Sequence, residues 1–363
     1  MSQPRERAPV RPQQRVRYLK ASDGTRLAWA EAGSGPVIVK AANWLSRLEY
    51  EWESPVWKHW LYHLAGISRF VRYDERGCGL SDWQAGSLSM EQWTDDLESV
   101  VEAAAPRGPV TLLGMSQGAA VCISYAVRHP GRVARMILYG GYAHGVFRRT
   151  PSPTEAQYRA MIELTRVAWG QDNPTFRQVF TSRFIPGGSQ QHLNWYNELC
   201  LRSTTGAIAA QLFEVRALVD VEPLLAQVRV PTLVLHARAD EIAPVAEGRL
   251  LASSIPGAEF VELDSRNHVL LPDEPAWERF REAVGAFMAP APSPAAGAFG
   301  ALSPRERQVL ALMTGGLSNV EIAVSMRISE KTARNHASNL FDKLGVRSRA
   351  QAIVFARDHG FSA

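Results

Sequence analysis

The run Thr111-Leu112-Leu113-Gly114-Met115-Ser116-Gln117-Gly118-Ala119-Ala120 joins a strand pattern to a helix pattern through a glycine-flanked serine. A mostly apolar run from Val110 to Leu113 ends in Gly-x-Ser-x-Gly and passes directly into small residues with helical character. This is the pattern of a nucleophile elbow, a serine on a tight strand-to-helix turn whose hydroxyl projects from the sheet edge. Gly114 and Gly118 leave room for the turn and for close strand–helix packing. The pattern is short. Its weight depends on whether a carboxylate, a histidine and an oxyanion-binding loop accompany it in the required order.

Working outward, residues 16–20 and 27–31 flank Ser22-Asp23-Gly24 and read as a hairpin. Strands are expected at 37–40, 70–73, 109–113, 133–139, 231–236 and 259–263, with helices at 90–105, 246–253 and 275–287. Strands alternating with helices imply an α/β fold with a mostly parallel sheet covered on both faces. The alternation stops between about 141 and 220. That segment carries helical patterns rich in large apolar residues, among them Tyr158, Met161, Trp169, Phe180, Phe184 and Phe213, and reads as an inserted helical lid. Residues 289–301 form a Pro/Ala/Gly linker, and residues 1–15 a loose arm. The expected domains are therefore 16–288 and 302–363.

The 363 residues carry a formal charge of +4, unevenly placed. Residues 302–363 hold a net +4 and residues 1–20 a net +5, which leaves −5 on the body between them. A basic C-terminal module on an acidic body points to an anionic partner. Three scattered cysteines without a CxxC indicate neither a disulfide framework nor a metal site, and no cofactor is expected. No apolar run is long enough to span a bilayer, and residues 1–20 are polar and Arg-rich, so a cytoplasmic protein without membrane contact is expected.

Residues 16–290 resemble the α/β-hydrolase superfamily. Asp74, Arg76, Gly77, Gly79 and Ser81 match its Asp-x-Arg-Gly-x-Gly-x-Ser turn. Pro231 to His236 followed by Asp240 matches the strand and turn that carry the acid, and Asn267-His268 follows the next strand. The resemblance implies Ser116 as nucleophile, His268 as its base and Asp240 as the group that orients the histidine. Asp220 is the alternative carboxylate. Gln117 offers the amide after the nucleophile for an oxyanion hole. The second donor is expected from Asn43 or Trp44, in a loop that reads Ala41-Ala42-Asn43-Trp44 where the family has His-Gly. The lid aromatics favour a small, largely apolar acyl or ring-bearing ligand. Serine at 116 disfavours the aspartate-nucleophile chemistry of epoxide and haloalkane hydrolases.

The segment after the linker resembles the LuxR-type helix-turn-helix domain. The match runs through 302–310, 316–323, 328–336 and 343–346. Ser303/Glu306, Ser318/Glu321 and Ser348/Gln351 are spaced as capping boxes, Ser329 can cap the remaining helix, and Gly315, Gly316, Gly345 and Gly360 supply stops. The resemblance implies that helix 330–343 enters the major groove of double-stranded DNA, with Lys331, Thr332, Arg334, Asn335 and His336 near bases and phosphates and Lys343 on phosphate. Ala333 and Ala337 stand where the family often has Val. The last helix, 348–358, implies a homodimer. Together these features predict a transcription regulator with a ligand-sensing hydrolase domain. The alternative is a working serine esterase with an accessory DNA-binding domain.

Overall fold

The computed structural model describes residues 12–84, 86–149, 155–289, 299–359 and 361. Most of the expected arm and linker, and Gly360, lie outside these residues. The chain divides into two compact units, Met1–Phe287 and Met288–Ala363.

The first unit is built on one eight-stranded sheet, with strands β1 (Arg15–Lys20), β2 (Arg26–Gly33), β3 (Val37–Lys40), β4 (Arg69–Tyr73), β5 (Val110–Met115), β6 (Val133–Tyr139), β7 (Thr232–Ala237) and β8 (Glu259–Leu263). The spatial order is β1-β2-β4-β3-β5-β6-β7-β8. The β1–β2 hairpin and the β2–β4 pair are antiparallel, and the other pairs are parallel. Strand β5 is buried along its whole length, which accounts for its nearly continuous apolar run. From β3 the chain crosses to β4 on one side and then returns to β5 on the other. That reversal opens a crevice at the carboxyl ends of β3 and β5, where open α/β sheets bind ligands.

Helices α1 (Leu48–Trp52), α2 (Lys58–Ile67), α3 (Met90–Ala104) and α4 (Gly118–Arg128) connect the first six strands. Between β6 and β7 come α5 (Glu155–Ala168), α6 (Thr175–Phe184), α7 (Gln190–Ser203), α8 (Gly206–Ala217) and the short α9 (Glu222–Leu225). Of these, α5 to α8 occupy the span read as the lid. Helix α10 (Val245–Ser254) leads to β8, and α11 (Pro275–Met288) follows it.

The Asp74–Asp82 turn ties these layers together. The buried Asp74 carboxylate accepts the Leu48 and Leu80 amides, and Ser81 bridges the Asp74 carbonyl and the Ala28 amide. Arg76 is fully buried in a forked bond to Asp96, with Asp23 as a further partner. The Gly79 amide and the Gly77 carbonyl bond to Ser203 and Thr204 at the α7–α8 junction, so this turn anchors the lid.

The second unit holds α12 (Pro304–Thr314), α13 (Asn319–Met326), α14 (Glu330–Leu344) and α15 (Arg349–Asp358) around a core that includes Val309, Leu310, Met313, Ile322 and Leu340. Ala333 and Ala337 are both inside this core. The boxes at Ser303/Glu306 and Ser318/Glu321 are complete. At Ser348 the hydroxyl caps Gln351, but the Gln351 side chain accepts from Arg347 rather than from the Ser348 amide, so that box is not closed. Gly345 ends α14 in the left-handed conformation, φ 67°.

Candidate functional site

Ser116 follows β5 directly and is held at φ 53°, a left-handed conformation that costs a non-glycine residue energy. The turn is fixed from both sides: the Ser116 amide donates to Tyr139 O (3.0 Å) and the Ser116 carbonyl accepts from Ala119 (3.1 Å). A methyl group at Gly114 would stand 2.6 Å from Ala119 Cα, so that glycine is required by the close approach of α4.

The loop after β7 carries Asp240, whose Oδ1 accepts the Ile242 and Ala243 amides. Its Oδ2 lies 2.6 Å from His268 Nδ1. Burial works to raise the Asp240 carboxyl, but His268, His236 and the Ala243 amide outweigh it and hold the group below the usual carboxylate range. The His268 backbone amide donates to Phe184 O, so the histidine loop is pinned to α6 of the lid. His236 is buried with Nε2 on the Ala243 carbonyl, and burial lowers its pKa. Gly140 and Gly141, just after β6, form the joint between the serine turn and the histidine pair. A methyl group at Gly140 would come within 3.1 Å of His268 Cε1, and one at Gly141 within 2.4 Å of the Ala119 side chain.

A cavity of about 230 Å³ lies at this end of the sheet. Ser116, Gln117 and Trp44 line it from the sheet side. Tyr158, Met161, Phe180, Phe184 and Phe213 line it from the lid. The Trp44 amide and the Gln117 amide belong to residues of this wall. Asn43 does not line the cavity, and its side-chain oxygen instead accepts from the buried Lys40 ammonium. Of the two loop candidates, Trp44 is therefore the one beside the serine. Its amide faces Gln117 Oε1 at 3.3 Å, and the Gln117 Nε2 donates to Ala42 O at the same distance. Both bonds are at the long end of the hydrogen-bond range. Asp220, the alternative carboxylate, lies by His144 and Glu222 rather than by His268.

The cavity is not purely apolar, because Arg149, Arg183, Arg216 and Glu241 also line it. Sequence reasoning passed over these arginines. They sit among the lid's apolar residues, and charges inside an apolar segment were the available signal.

In the second unit the candidate residues separate. Lys331, Arg334 and Asn335 are exposed along one face of α14, and Ser338 and Asn339 extend that face. Thr332 and His336 are half-buried, and Thr332 Oγ1 bonds the Ser329 cap. Lys343, expected on phosphate, is engaged within the unit itself. Its ammonium makes a forked contact with Glu306 of α12, at 2.8 and 3.0 Å.

Residues 59–275 match the family described as serine aminopeptidase, S33, and residues 300–356 match the luxR family of bacterial regulatory proteins. The AB hydrolase superfamily protein YisY of Bacillus subtilis is 25% identical over 254 residues, which are 69% of this chain and 91% of that protein. The probable HTH-type transcriptional regulator GfsR of Streptomyces halstedii is 56% identical over 54 residues, 15% of this chain and only 22% of that one. The esterase EaEST of Exiguobacterium antarcticum shares the fold of the first unit, with a TM-score of 0.63 at 24% identity over 74% of this chain and 98% of that structure. No helix among the described residues is long and apolar enough to cross a membrane.

Proposed function

Because the chain belongs to the serine aminopeptidase S33 family of α/β-hydrolase proteins and carries a LuxR-type DNA-binding domain, we propose a transcription regulator that senses, and slowly cleaves, a small ester. The observation that carries this reading is the 2.6 Å Asp240–His268 bond, in the same unit as a serine strained at φ 53° at the wall of a lidded cavity.

In this reading Ser116 Oγ attacks the acyl carbonyl of the ligand while His268 Nε2 takes its proton. The negative charge that develops on the carbonyl oxygen is met by the amides of Gln117 and Trp44 once the Gln117 side chain swings away. The imidazolium returns the proton to the departing alkoxide, which leaves an acyl-serine. Water then adds to the acyl carbon, again giving its proton to His268, and the acid and free serine are released. Asp240 holds the Nδ1 proton and stabilises the imidazolium. Occupancy of the cavity changes the affinity of the second unit for DNA, which binds as a homodimer through the exposed face of α14.

A fluorophosphonate probe tests both halves. The full-length chain is expected to label at one serine, and Ser116→Ala and His268→Ala to abolish labelling. Labelled protein is expected to bind operator DNA, selected from random sequence, with an affinity several-fold different from unlabelled protein. Labelling with unchanged DNA affinity would leave an esterase with an accessory DNA-binding domain. No labelling, together with no turnover of p-nitrophenyl esters, would sink the hydrolytic reading.

A further inference from the structure

Serine chemistry on an apolar ester calls for an apolar sleeve and an oxyanion site. It does not call for three guanidinium groups. Yet Arg149, Arg183 and Arg216 line the cavity against a single lining carboxylate, Glu241. Burying a charge with an incomplete set of partners is costly, and such a group is retained where something else completes the set.

Arg216, at the end of α8, is the most buried of the three, at 5% exposure. Its Nη2 meets one oxygen of Glu75, and the guanidinium lies 4.5 Å over the Trp44 ring and 5.5 Å from that of Trp93. Its Nε and Nη1 find no acceptor among the described residues, and the second Glu75 oxygen finds no donor. An ion pair that served only to fasten the lid would be expected to use both teeth of the fork. This one uses a single tooth and leaves two buried nitrogens without acceptors.

Arg183 donates to the Glu241 backbone oxygen (2.8 Å) and has no carboxylate within ion-pair distance among the described residues. Arg149 donates to the His144 carbonyl, and its nearest carboxylate, Glu247, is 3.7 Å away. Glu75 and Glu247 do not line the cavity, so the countercharges lie behind the arginines and the wall that a ligand meets is cationic. Trp44 joins the two ends of the site, with its indole beside Arg216 and its amide at Gln117, next to Ser116.

We propose that the ligand carries a carboxylate at the end remote from its acyl carbonyl, and that Arg216, helped by Arg149 and Arg183, receives it. The apolar lid residues enclose the spacer between the two ends. This rests on the reading above that Ser116 meets the acyl carbonyl.

The test uses the full-length chain and two esters that differ only in charge, mono-4-nitrophenyl pimelate and its methyl ester. The free acid is expected to have a kcat/KM about tenfold or more above the methyl ester, the scale of a charge-assisted hydrogen bond. That ratio is expected to fall toward one in Arg216→Gln. Because Arg216 also holds Glu75, Arg183→Gln is the second variant, with no ion pair to lose, and its ratio is expected to fall as well. Ser116-dependent cleavage of both esters with equal or lower kcat/KM for the acid overturns the carboxylate proposal and leaves the serine reading intact. If neither ester is cleaved, quenching of tryptophan fluorescence reads affinity directly. Tighter binding of the acid that is lost in Arg183→Gln then sustains the carboxylate site while turnover fails. Equal binding overturns the site, and no binding of either overturns both.

Discussion

At Asp240 two opposing influences meet, and the outcome decides what His268 can do. Burial works against the charge, but the histidine at 2.6 Å, His236 and the Ala243 amide reverse it and keep the carboxylate ionised. In the proposed mechanism an ionised Asp240 holds the proton on Nδ1 and leaves the Nε2 lone pair to serve as base. Asp240→Asn keeps the shape and allows the wrong tautomer, in which Nε2 carries the proton. We expect kcat for p-nitrophenyl acetate to fall about 10⁴-fold with little change in KM. A fall of less than about tenfold would mean that the histidine is not acting on Ser116. The Asp240–His268 pair and the strained turn at Ser116 could be looked for in the sequence because each stands just after a strand, in the chain order of an elbow. Arg216 could not, because its meaning comes from Glu75, 141 positions earlier, and from Trp44 beneath it. Residue type and spacing along the chain carry no trace of such a meeting.

Between elements, the forked Lys343–Glu306 contact locks α14 onto α12. Glu306 does two jobs at once, since it also closes the capping box on the Ser303 amide. The Lys343 contact first, and the Ser303 bonds after it, hold its carboxyl at about 2, against an ordinary 4.5. A depressed carboxyl stabilises the fold fully above the unfolded value and loses that contribution as pH falls through the folded one. The second unit of the full-length chain is therefore expected to lose stability between about pH 4.5 and 2. Glu306→Gln is expected to lower its unfolding temperature at pH 7 by about 5 °C, corresponding to about 1 kcal/mol once solvent around the half-exposed lysine is allowed for. That difference should shrink steadily below pH 4.5 in thermal unfolding followed by circular dichroism. A difference that stays constant down to pH 2 would rule out the ion pair as its source. The helix starts were legible because a cap and its partner lie three residues apart. The contact of Lys343 with Glu306 was not, because a basic residue late in a helix looks the same in sequence whether it faces solvent or a carboxylate 37 positions away.

For the whole molecule, the two halves of the proposal make separable demands on DNA binding. Lys331 and Arg334 are exposed on α14, so Lys331→Ala and Arg334→Ala should each weaken DNA binding and lower the slope of log affinity against log salt by about 1. Lys343→Ala should leave the slope unchanged, because its ammonium is already neutralised by Glu306. Equal slopes in all three variants would contradict this placement of the DNA-facing side. Communication between cavity and DNA has its own signature. A ligand that acts by reversible binding must be tied to operator by one coupling factor, commonly about 5- to 150-fold, and that factor is the same in both directions. In Ser116→Ala, which binds without cleaving, addition of operator DNA should change the affinity for mono-4-nitrophenyl pimelate by the same factor that the ester changes operator affinity. A covalent trigger behaves differently. Its effect on DNA grows with the time of exposure to the ester in the unsubstituted chain, decays as the acyl-serine hydrolyses, and is absent in Ser116→Ala. Gel-shift titrations of both proteins, at several times after ester addition, separate the two. Matching coupling factors in Ser116→Ala assign the signal to occupancy of the cavity. A time-dependent shift confined to the intact serine assigns it to the acyl bond.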